Sequence, residues 1–178
     1  MEERRTELLR MMSRMRFLNR HEGLFLLRSS MGVSKLLYLL RSSPCFQSEA
    51  VGAFDESLRV SLSEVTNCQM TPGVWSRAVL PQRWGGLGVR SVSGLAVSAY
   101  LASVAASEAL VSAIPSPPQL RSFRTMGETA ARLWGDGSGG VPIPTPRPTA
   151  QRWYDDLVCG ERFKALLAET VGSGGPPC

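Results

Sequence analysis

One histidine, His21, and two lysines, Lys35 and Lys164, are all that the 178 residues hold of either type. A single imidazole offers no Ser-His-Asp arrangement, and His21, with only Glu22 beside it, has no nucleophile or metal partner in pattern. The four cysteines, Cys45, Cys68, Cys159 and Cys178, lie far apart. No Cys-x-x-Cys pair exists, so neither a zinc knuckle nor a redox dithiol is supported. Reduced thiols, and with them a cytoplasmic or nuclear location, are the expectation. Gly85-Gly86-Leu87-Gly88 lacks the Gly-Lys-Ser/Thr continuation of a phosphate loop. No apolar–polar alternation is long enough for a strand, the brief one at Val89 to Val92 included. The sequence thus predicts no catalytic residue, no metal site and no cofactor.

The scarcity of lysine makes the positive charge almost wholly arginine, a side chain that grips phosphate bidentately and stacks on bases. GC-rich coding sequence, which favours Arg, Ala, Gly and Pro together, is an alternative origin for that bias. The net charge is +5, and nine Lys and Arg face four Asp and Glu up to Arg41, leaving eleven of each beyond. The excess therefore sits entirely at the start. Met1-Glu2-Glu3-Arg4-Arg5 has no secretory pattern.

Apolar spacing predicts helices throughout, and an all-α bundle is the consistent architecture. Over residues 2–19, Leu8, Met11, Met12, Met15 and Leu18 form one stripe, with Arg10, Arg14, Arg16 and Arg20 largely off it. Residues 21–30 and 34–43 come next, broken near Gly32, with Ser34 as a candidate N-cap and Pro44 as a stop. Leu36, Leu37, Leu39 and Leu40 predict burial of the second helix nearly all round. Lys35, Tyr38 and Arg41 share its remaining side. A serine-capped helix over 48–65 buries Val51, Phe54, Leu58, Leu62 and Val65, and Thr71-Pro72 opens a short one. Leu80 to Arg90, with three glycines, Pro81 and Trp84, reads as a tight, buried connector.

Residues 91–114 form a long Ala/Ser-rich helix that suits close packing. Glu108 is the only charge from Leu95 to Ile114, yet the serines and alanines make it a poor membrane span, and no membrane partner is expected. Pro115, Pro117 and Pro118 stop it. The remaining organisation is a short helix over 119–134, basic along Arg121, Arg124 and Arg132, a Gly/Pro-rich flexible linker over 135–150, a separate C-terminal helix over 151–170, and a disordered tail over 171–178.

Leu80-Pro81 followed by Gly85-Gly86-Leu87-Gly88-Val89 resembles the segment that follows the polymerase domain in reverse transcriptases of non-LTR retrotransposons. Leu24-Phe25-Leu26-Leu27-Arg28, the run from Lys35 to Cys45, and Phe54-Asp55 through Leu62 agree with it in order and spacing. The likeness spans about residues 21–102 and returns weakly at 151–167. It implies that residues 1–114 form a helical thumb-like domain of an RNA-directed DNA polymerase, without the catalytic palm. It also makes Lys35 and Arg41 contacts to a nucleic-acid backbone. Trp153-Tyr154-Asp155-Asp156 is similar to the metal-binding aromatic-x-Asp-Asp signature of these enzymes, but it follows a linker and opens a helix, where aspartate is favoured by the macrodipole. It also lies on the wrong side of the connector. The cysteine-rich module common near the end of such proteins is missing.

The expectation is therefore a non-catalytic piece that holds RNA or DNA backbone weakly and salt-sensitively through Arg10, Arg14, Arg16, Arg20, Lys35 and Arg41, beside a missing palm domain. The alternatives are a helical module that docks a protein partner through its leucine-rich or Ala/Ser-rich helices, and a decayed element without selected function.

Overall fold

The computed structural model describes residues 2–15, 17–113 and 119–172. Arg16, the proline stop at 114–118 and the tail at 173–178 lie outside the described residues. Every regular element among the described residues is helical. In chain order these are α1 (Glu2–Met15), α2 (Arg20–Leu26), α3 (Leu37–Ser42), α4 (Glu49–Thr66), α5 (Pro72–Ala78), α6 (Val92–Ser112), α7 (Gln119–Gly137) and α8 (Gln151–Gly172).

The helix expected over 2–19 stops four residues early, because Asn19 starts a new one. The Glu22 carboxylate reaches back to accept the Asn19 N–H at 3.2 Å, half of a capping box. Glu22 is thus a helix-start residue rather than a partner for His21. Helix α2 runs on through a π-helical turn, Leu27–Met31, and ends at Gly32. Ser34 does not cap α3; it lies inside a 3-10 turn, Val33–Lys35, that leads into that helix. Of the four leucines expected to bury this helix nearly all round, Leu36 and Leu40 are buried while Leu37 and Leu39 are half-buried, and Tyr38 and Arg41, on the remaining side, face out.

Thr71 accepts the Val74 N–H at 3.4 Å with Pro72 at the first helical position. Ser91 does the same for Gly94 at 2.8 Å. Helix α6 is apolar on all sides and is the centre of the bundle, packed by α3, α4, α7 and α8. Its first half joins Leu8, Leu36, Leu40 and Phe54 in one core cluster, and its second half joins Trp134, Tyr154 and Val158 in another. A third cluster, Met15, Leu27, Leu58, Leu62 and Val89, ties α2 and α4 to the connector. By length and composition α6 and the stretch 20–42 could each cross a membrane; half of the apolar window of α6 and a third of the other are buried in this fold.

The C-terminal helix is not separate. It starts at Gln151, runs two residues past the expected end, and packs along α6. Val141 and Ile143, within the stretch expected to be a linker, lie half-buried against the second cluster. The reason is aromatic. Trp134 of α7 donates its Nε1–H to the Tyr154 carbonyl at 3.0 Å and stacks on Trp153 at 5.5 Å, while Tyr154 meets it edge-on at 5.4 Å.

Candidate nucleic-acid interface

The amphipathic stripe of α1 turns Leu8 and Met15 inward, which leaves Arg10 and Arg14, four residues apart on one face, exposed. Arg20, in the first turn of α2, is exposed, and so is Arg41 in the last turn of α3. Among the described residues no carboxylate pairs with any of the four. Arg16, expected beside them, falls outside the described residues.

Lys35, unlike these four, has a carboxylate partner within the fold. Its Nζ lies 3.1 Å from Glu7 Oε1, and both side chains are about one-third exposed, so the ammonium links the turn before α3 to α1. A lysine held there is a brace between two helices before it is a phosphate contact. The sequence concealed this because Glu7 and Lys35 are 28 positions apart.

The connector spends its arginines differently again. Between Leu80 and Val89 the backbone folds back on itself: Leu87 N–H donates to the Ala78 carbonyl at 2.9 Å and Gly88 N–H to the Leu80 carbonyl at 3.1 Å. Gly88 has φ +75°, and any side chain at Gly86 would run into the Leu80 carbonyl, so the turn admits only glycine at these points. This turn aims Arg83 and Arg90 at α8. Arg83 pairs with Asp156, and Arg90 pairs with Asp155 while its Nη1 lies 3.3 Å from Cys159 Sγ. Arg152 adds a longer contact of 3.5 Å to Asp156. Trp84 packs its ring on Phe163 at 5.2 Å, closing the same joint.

Asp155 and Asp156 are therefore neutralised by arginines. Burial pushes the Cys159 thiol above its usual range, against the pull of Arg90. Among the described residues no three His, Cys, Asp or Glu side chains converge on one point.

One structural carboxylate escaped the sequence reading. Asp55, nearly buried on α4, accepts the backbone N–H of Val92 at 2.6 Å and of Ser93 at 3.0 Å, together with the Ser93 hydroxyl. It satisfies the start of α6 from a neighbouring helix and faces its positive dipole end. The available signal was its position: Val51, Asp55, Leu58 and Leu62 keep helical spacing, so a carboxylate sits on a buried stripe.

Comparison of the chain with family models, with curated proteins and with solved structures returns no match.

Proposed function

We propose that this chain is the non-catalytic, thumb-side part of a reverse transcriptase of the non-LTR retrotransposon type, and that it holds nucleic-acid backbone through Arg10, Arg14, Arg20 and Arg41. The observation that carries this reading is the set of four exposed guanidiniums with no carboxylate partner among the described residues, in the stretch that holds all of the chain's charge excess. Arginine there meets phosphate without first breaking an internal ion pair, which favours binding. The residues that carry the family likeness have structural roles in this fold: a turn that requires glycine, and a carboxylate that starts α6. The missing palm would carry the polymerisation chemistry.

The test is retention of the full chain on immobilised nucleic acid against a neutral resin. Four phosphate contacts predict that raising salt from about 50 to 200 mM weakens duplex binding on the order of 100-fold. Equal retention on both resins at low salt would contradict the reading.

A second reading is favoured by one feature. An open, mainly apolar groove of about 590 Å³ runs between α5, the connector and the end of α8, lined by Met70, Val74, Ala78, Leu87 and Leu166. A helical docking module would use such a groove. Charge reversal at Arg10 and Arg14 that leaves all binding intact would favour this reading over the first.

A further inference from the structure

Three four-residue stretches near the start of the chain repeat one pattern, Phe17-Leu18-Asn19-Arg20, Phe25-Leu26-Leu27-Arg28 and Tyr38-Leu39-Leu40-Arg41. Each is an aromatic, then a leucine, with arginine three places on. The fold treats them alike at both ends. Phe17 is 89% exposed, Tyr38 80% and Phe25 58%, and Arg20, Arg28 and Arg41 are exposed as well. Within α3 the three-residue spacing sets Tyr38 and Arg41 on one face.

These three rings are the exposed large aromatics among the described residues. The other rings have places in the packing, such as Phe46 against Tyr100 and Trp84 against Phe163. A large aromatic ring left facing water forgoes the favourable burial that the other rings obtain. Three such exposures, each three residues before an exposed arginine with no carboxylate partner among the described residues, call for an occupant. We propose that Phe17, Phe25 and Tyr38 with Arg20, Arg28 and Arg41 form a track for single-stranded nucleic acid, in which unpaired bases stack on the rings while phosphates meet the guanidiniums. The inference rests on the nucleic-acid reading above and adds the strand state of the ligand.

Charge and shape select this occupant. The track is cationic, so its partner is anionic. Duplex bases are stacked on one another and offer no free face, whereas unpaired bases offer one each, and stacking tolerates any sequence. A membrane surface is the competing anionic partner, but a helix lying on lipid buries a continuous apolar face. Here Leu27 and Leu40, the leucines that would complete such a face, are fully buried in the protein core.

The experiment uses the full chain and a labelled strand of about 20 nucleotides, alone and as duplex, read by fluorescence anisotropy. Replacing Phe17, Phe25 and Tyr38 together by leucine keeps apolar bulk and removes the stacking face. Single-strand affinity is expected to fall at least tenfold and duplex affinity less than about twofold. The exchanges Phe25→Tyr and Tyr38→Phe, which keep a ring, are expected to leave the affinity for the strand unchanged. Equal loss on both ligands, or no loss on the single strand, overturns the track. Ring variants that lose binding to phosphatidylserine vesicles but keep the strand overturn it in favour of a membrane. A wild-type chain that binds neither nucleic acid instead overturns the reading on which the track rests.

Discussion

Arg10, Arg14, Arg20 and Arg41 stand exposed without a carboxylate partner among the described residues, whereas Arg83 and Arg90 are each closed onto an aspartate of α8. The same residue type serves two ends. In the connector it joins elements distant in sequence, and Arg90 and Asp155, with side chains 20% and 13% exposed, are committed to each other. At the start of the chain, Arg10, Arg14, Arg20 and Arg41 have no such carboxylate among the described residues. Lys35 stands between the two cases, half-spent on Glu7. Composition counts all of these as one positive excess, and only the fold separates structural cations from available ones.

The comparison breaks most visibly at Arg90. Replacing it by alanine strands Asp155 in a mostly buried site, which costs about 3–5 kcal/mol. For a domain of this size that is a fall in melting temperature of roughly 10 °C, read by circular dichroism. A joint Arg90→Met and Asp155→Leu exchange is expected to recover most of the loss, because an apolar pair leaves no uncompensated charge. If Arg90→Ala melts like the wild type, the joint between connector and α8 is not held by this pair.

Asp55→Ala comes next. Three donors at the start of α6 lose their acceptor, and a loss of about 2–3 kcal/mol is expected in denaturant midpoint. Asp55→Asn, which keeps an acceptor oxygen, is expected to lose less. Equal losses for the two would mean that packing rather than capping sets the cost.

Lys35→Ala sharpens the intermediate case. A one-third exposed ion pair is worth about 0.5 kcal/mol, so stability is expected to change little. If the lysine is a brace, affinity for nucleic acid changes less than it does on removing Arg41. A larger affinity loss at Lys35 than at Arg41 would return it to the binding surface.

Much of the fold was legible because it follows from local periodicity and caps. Thr71 with Pro72, the Ala/Ser-rich run over 91–114, and the stripe of Val51, Phe54, Leu58 and Leu62 place α4, α5 and α6 within a residue or two of where they lie. The rest depends on contacts between distant parts of the chain. The separation expected of the C-terminal helix failed because Tyr154 and Trp153 meet Trp134 across the Gly/Pro-rich segment, which no periodicity reveals. Arg90 and Arg83, the connector partners of Asp155 and Asp156, lie 65 and 73 positions away, beyond the reach of any spacing rule. Of the candidate site, exposure of Arg10, Arg14, Arg20 and Arg41 followed from amphipathic spacing. The pairing of Lys35 and the exposure of Phe17 and Phe25 depend on how the first helices turn against the core.

The most direct test of the division between available and structural arginines is the salt dependence of nucleic-acid affinity, measured on the wild type and on an Arg10→Glu, Arg14→Glu and Arg41→Glu triple variant. The account predicts a log–log slope near about −3 to −4 for duplex, collapsing toward zero in the variant, with melting temperature nearly unchanged. A slope that survives the triple reversal, or no measurable slope in the wild type, would contradict it.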